Sequence, residues 1–168
     1  MGQVGADSAA DPHSRRLASQ TTPLIGDDRA RPQGGTVPDF PALTHVAITV
    51  TDLPASTAWY RALFDAEPVL DEDEESGTFH HTVFALDNGT LFGLHTHTGG
   101  AASGSFDERR TGLDHIAFAV GRDELDQWAR RLDDLGIAHG GVKHAHYGSG
   151  ISFRDPDNIA LEFFAPPA

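Results

Sequence analysis

The chain has 168 residues, 39% of them hydrophobic, enough for one domain or for two small modules that share a core. Twelve Lys+Arg against 25 Asp+Glu give a formal net charge of −13, a field that repels a phosphate backbone and argues against nucleic acid as a partner. The absence of cysteine removes disulfides, thiolate metal sites and cysteine nucleophiles together, whereas histidine is abundant at 10 residues.

No run of about 18 apolar residues exists, so no membrane span is expected. The segment from Met1 to Gln20 is polar and lacks the apolar stretch of a secretory signal. Together with the missing cysteines, this is compatible with a cytoplasmic location. Residues 1–40 read as a tail. Prolines and glycines from Gly2 to Pro38 break any periodicity, and the polar filling buries too little apolar surface to offset ordering entropy.

The first strand is expected over about 43–50, Leu43-Thr44-His45-Val46-Ala47-Ile48-Thr49-Val50, where apolar and polar residues alternate. Asp52 stands where a helix N-cap belongs and Pro54 falls in the first turn, so a helix over about 53–64 follows. Ala55, Ala58, Trp59, Ala62 and Leu63 form its expected inner face. A second strand is expected to begin at Glu67–Leu70, and the acidic run Asp71–Glu75 with Ser76-Gly77 to be a solvated loop. Thr78–Leu86 and Thr90–His97 then read as strands around an Asp87-Asn88-Gly89 hairpin turn.

Residues 98–112, rich in glycine and charge, read as a linker. After it the opening pattern returns: Leu113-Asp114-His115-Ile116-Ala117-Phe118-Ala119-Val120 repeats L-x-H-[VI]-A-x-x-V. A helix is expected over 122–135, with Gly136 as its stop. Short strands are expected at about 137–143, 148–154 and 159–164, with Asp155-Pro156-Asp157-Asn158 as a turn. Each unit therefore reads β-α-β-β-β, the signature of an α+β fold built by duplication.

His45 and His115 occupy equivalent places in the two units, on strand faces of small residues that leave room as a cavity floor would. Glu162 interrupts the apolar run Ile159–Phe164, a costly placement unless the carboxylate is paired or coordinated. Two histidines and a carboxylate make a set that binds a divalent metal and leaves positions open for water or substrate.

The paired L-x-H-[VI]-A starts, the Arg154-Asp155-Pro156-Asp157-Asn158 turn and the closing Leu161-Glu162-Phe163 resemble the vicinal oxygen chelate superfamily, over about residues 43–165. The resemblance implies two tandem βαβββ modules forming a curved mixed sheet around a cavity: the glyoxalase/bleomycin resistance/dioxygenase fold. The domain spans 41–168, with module one at about 43–97 and module two at about 113–165. It implies one divalent ion (Fe, Zn, Ni or Mn) held by His45, His115 and Glu162. Gly93 falls where glyoxalase-like members carry an acid. His95, two residues on, is a further candidate ligand.

The implied function is a metal-dependent, glyoxalase-like isomerase or lyase acting on a small molecule with adjacent oxygens. In such a reaction the metal is a Lewis acid and Glu162 the carboxylate that carries the proton. His146 and Tyr147, before the seventh strand, are candidates for acid–base or substrate contact. An Fe(II)-dependent ring-cleaving dioxygenase is an alternative. A non-catalytic drug- or metabolite-binding protein of the bleomycin-resistance kind is another, and the acidic surface would suit a cationic drug. A homodimer is expected, because two such modules leave sheet edges and apolar faces that pairing would cover. In a dimer, His45 and His115 of different subunits can meet at one ion.

Overall fold

A computed structural model describes residues 42–102 and 104–167; the tail expected over residues 1–40 lies outside them. Module one runs β1 (His45–Thr49), α1 (Leu53–Phe64), β2 (Leu70–Asp73), β3 (Phe79–Ala85) and β4 (Leu91–His97). Module two runs β5 (Ile116–Ala119), a 3₁₀ turn at Arg122–Glu124 leading into α2 (Leu125–Asp134), β6 (Lys143–Ala145), β7 (Gly148–Arg154) and β8 (Ala160–Ala165). The duplicated β-α-β-β-β order expected from the sequence is present. The eight strands form two four-stranded sheets, ordered β1-β4-β3-β2 and β5-β8-β7-β6. In each, the first and last strands of the module run parallel and the remaining pairs antiparallel.

Local chemistry sets the elements. Asp52 caps α1 by accepting a 3.0 Å hydrogen bond from the Ala55 N–H, which satisfies one of the helix's orphan donors. Asp65 ends the helix in a left-handed conformation at φ 53°. The inner face of α1 differs from the expected one. Ser56, Tyr60 and Leu63 are buried, while Ala55, Ala58 and Ala62 face outward. Of the expected face, Leu63 is buried and Trp59 packs against the core; Tyr60 adds most of the remaining apolar area, and alanine offers little.

Two strands are also displaced. Asp71, Glu72 and Asp73 belong to β2 rather than to a loop, since Asp71 and Asp73 both bond to His80 on β3. The strand expected at 137–143 shrinks to a single bridge between His139 and Phe153, and β6 begins at Lys143.

The helix-covered faces of both sheets contribute to one core. Phe118 of β5 packs edge-on against Phe64 of α1 at 5.6 Å and lies 5.8 Å from Phe92 of β4. Trp128 of α2 stacks on Phe163 at 4.3 Å. Polar bonds tie the modules at the turn after β7. Tyr60 donates to Asp155 at 3.0 Å, and Asp157 accepts from both the backbone N–H and the hydroxyl of Thr51. Asp155 also accepts from the backbone N–H groups of Asp157 and Ile159, which fixes the turn that launches β8. Burial pushes the Asp155 carboxyl up from its ordinary range, and burial beside that carboxylate pushes the Tyr60 hydroxyl far up, so Tyr60 stays a donor.

This core decides which strand face is covered, a choice that alternation alone leaves open. Val46, Ile48 and Val50 turn inward, whereas His45, Ala47 and Thr49 are exposed. In β5, Ile116 and Phe118 pack on the core and Ala117 and Ala119 face out. The small-residue faces around the two histidines are thus the uncovered faces of the two sheets.

Candidate metal centre

His115 immediately precedes β5, and Glu162 projects from the neighbouring β8. The Nε2 of His115 lies 3.6 Å from Glu162 Oε2. The other ring nitrogen, Nδ1, is 2.6 Å from Asp114 Oδ1. A carboxylate on Nδ1 orients the ring: Nδ1–H donates to Asp114, and Nε2 faces Glu162. Glu162 lies low on its sheet because β7 offers no side chain at Gly150. A Cβ built on Gly150 would stand 2.6 Å from Glu162 Oε1. The pair lines a cavity of about 470 Å³ together with Asp114, Ser152 and Arg154. Arg154 is not free there. It donates to both carboxylate oxygens of Glu108 at 2.8 and 3.1 Å, and this holds the Glu108 carboxyl down at about 2.

His45 does not join them. It lies on the uncovered face of the other sheet, at the register position of Leu91. Among the described residues, no group of three His, Asp or Glu side chains within this chain is placed to hold a metal ion. His95 shares the His45 face. Its ring stacks on Phe79 at 4.7 Å and meets His81 edge-on at 5.6 Å. Burial, and then the neighbouring His81, His97 and His45, push the His95 pKa down, favouring the neutral, ligand-competent imidazole. His81 itself carries a buried Nε2 with no hydrogen-bond partner among the described residues. His146 and Tyr147 form the two-residue turn between β6 and β7. Their rings lie against one another at 5.2 Å, and Tyr147 is 65% exposed. Neither lines the cavity beside His115 and Glu162.

Residues 42–163 match the family model of the Glyoxalase/Bleomycin resistance protein/Dioxygenase superfamily. The chain belongs to this superfamily. A crystal structure of a glyoxylase/bleomycin resistance protein/dioxygenase domain from Frankia sp. EAN1pec is 33% identical to it, with a TM-score of 0.68. That match covers 76% of this chain and 99% of the Frankia chain. The fosfomycin resistance protein FosX of Listeria innocua is 27% identical over 125 residues, which are 73% of this chain and 88% of FosX. The metallothiol transferase FosB of Bacillus licheniformis is 25% identical over 122 residues, covering 71% of this chain and 72% of FosB. The fold expected from the sequence is the one present.

Asp114, Gly150 and the Glu108–Arg154 pair do not stand out in the sequence. Asp114 was readable as a neighbour of His115. Alternation along a strand, however, would have sent the two side chains to opposite faces. They meet because β5 begins only at Ile116.

Proposed function

We propose that this protein is a metal-dependent enzyme acting on a small molecule with adjacent oxygen atoms, by a glyoxalase-like isomerase or lyase route. Its site is shared: His115 and Glu162 of one copy and His45 of a second hold one divalent ion. The observation that carries this reading is the oriented pair. His115 presents Nε2 toward Glu162 with Asp114 behind it, while His45 occupies the equivalent place on a separate uncovered face. Imidazole and carboxylate donors of this kind suit Zn, Ni, Mn or Fe(II). The superfamily and the metal in the name of the FosB relative support the reading.

A divalent ion bound there supplies Lewis acidity to two adjacent substrate oxygens. The remaining work falls to the chain. Glu162, nested over Gly150, has a second oxygen, Oε1, with which to accept and return a proton. Asp114 holds His115 in one orientation. His146 and Tyr147 stand on the turn between β6 and β7, outside the lining of this cavity within one chain. Gly93 leaves module one without a carboxylate at the place corresponding to Glu162.

The FosX and FosB relatives favour a second reading, chemistry on fosfomycin, an anionic phosphonate epoxide. In this chain the arginine lining the cavity is already paired with Glu108. That arginine is therefore not available to a phosphonate, and the glyoxalase-like route stays the first reading.

The test is metal analysis of untagged protein beside Glu162→Ala. The expected outcome is about one divalent ion per site in the wild type, lost in the variant. A wild type that takes up no Fe(II), Mn, Ni or Zn would instead be a sequestering protein.

A further inference from the structure

The protein's own duplication allows the two modules to be compared position by position. Ala47 follows His45 by two residues, as Ala117 follows His115. In the parallel β1–β4 pair, Ala47 stands beside Gly93; in the parallel β5–β8 pair, Ala117 stands beside Glu162. Gly93 is therefore the place in module one that Glu162 holds in module two.

That place is not empty. A Cβ built on Gly93 would stand 3.3 Å from His95 Nε2, 3.5 Å from His95 Cδ2 and 3.4 Å from Ala47 Cβ. The imidazole of His95 has folded back along β4 and lies in the room that a side chain at 93 would fill. Phe79 stacks on it with the planes only 8° apart, which fixes the tilt of the ring. Neither ring nitrogen of His95 has a hydrogen-bond partner among the described residues, whereas His97 meets Thr49 at 3.2 Å and His80 is held at both nitrogens. Both modules thus use a glycine to lay a donor flat on the uncovered face: Gly150 under Glu162, Gly93 under His95.

We infer that His95 is a further ligand of the shared ion, its Nε2 standing in module one for the carboxylate of Glu162 in module two. The inference rests on the shared site proposed above. Each module then contributes one histidine from the start of its first strand and one donor from above its last. A ligand from above Gly93 is neutral, so the centre carries one carboxylate rather than two, and Glu162 is left as the single anionic proton carrier.

Co(II) titration of the full chain, followed by visible absorption, tests this with four proteins: wild type, Glu162→Ala, His95→Ala and Gly93→Ala. The methyl of Gly93→Ala would stand 3.3 Å from His95 Nε2, so the ring must give by a few tenths of an ångström, and this variant shifts the ligand without removing it. Far-UV circular dichroism confirms that each variant is folded. The expected result is Co(II) binding weakened at least about tenfold in both His95→Ala and Gly93→Ala, with a changed ligand-field spectrum in each. Wild-type affinity and spectrum in both variants, with the ion lost in Glu162→Ala, would overturn the inference and leave the shared site standing. A wild type that binds no Co(II) would overturn both.

Discussion

At the scale of single residues, the ligand role proposed for His115 rests on Asp114. A free imidazole rotates and exchanges its proton between two nitrogens. The 2.6 Å contact from Nδ1 to Asp114 restrains the ring and turns Nε2 toward Glu162. Outer carboxylates of this kind contribute about 10–100-fold to metal affinity. Asp114→Ala is therefore expected to weaken metal binding by about that factor. The side chain of Asp114 is 74% exposed, so the fold should be untouched. Competition with a chelator, read beside thermal melting, checks both halves of this expectation. His45, His115 and Glu162 were legible in the sequence because they recur or interrupt a pattern. Asp114 and Gly150 were not. One acts through the late start of β5, and the other through the absence of a side chain across a strand pair.

At the scale of elements, β2 shows how acidic residues come to lie in a strand. Asp71 and Asp73 each accept from His80 on β3 at 2.8 Å, and Asp71 also accepts from Thr82. In the sequence alone these carboxylates read as a solvated loop, because like charges in series repel. The cation that offsets them is supplied across the sheet, where a one-dimensional reading does not see it.

The hydrogen bonds to Asp71 and then Asp73 raise the pKa of His80, and the bond to His80 lowers that of Asp71. The histidine's contribution is complete below the ordinary histidine value and is lost as pH climbs through its raised value. The Asp71 contribution is present above the ordinary aspartate value and is lost as pH falls through its lowered one. The clamp is therefore fully engaged between about pH 4 and pH 6.5. Wild-type melting temperature should fall relative to His80→Gln as pH rises from about 6 to 8. A constant difference across that range would show that the clamp contributes nothing. The effect is expected to be small, because the site is close to solvent.

The helices were easier to read than the strands. Asp52, Pro54 and Gly136 punctuate α1 and α2 locally, whereas β6 depends on where β7 offers partners.

At the scale of the whole molecule, one core turns both histidine-bearing faces away from it. The duplication was visible in the sequence, and so was the fold it produces. The burial of the strand faces was not. Alternation gives two faces without saying which one a helix will cover. Phe64, Phe92 and Phe118 settle it by meeting in the middle, and Tyr60 and Thr51 hold the β7–β8 turn against module one. With that core intact, His45 does not join the His115–Glu162 pair of its own chain, and the shared centre proposed above takes it from another copy.

The measurement that tests this most directly uses two variants that each lack one ligand, His45→Ala and His115→Ala, purified without a tag. Alone, each should hold no divalent ion at equilibrium. Mixed, dissociated and allowed to reassociate, they should regain metal at about a quarter of the wild-type sites, because half of the random dimers carry one complete site of two. Metal retained by either variant alone, or none regained on mixing while the wild type is loaded, would contradict a centre shared between two copies.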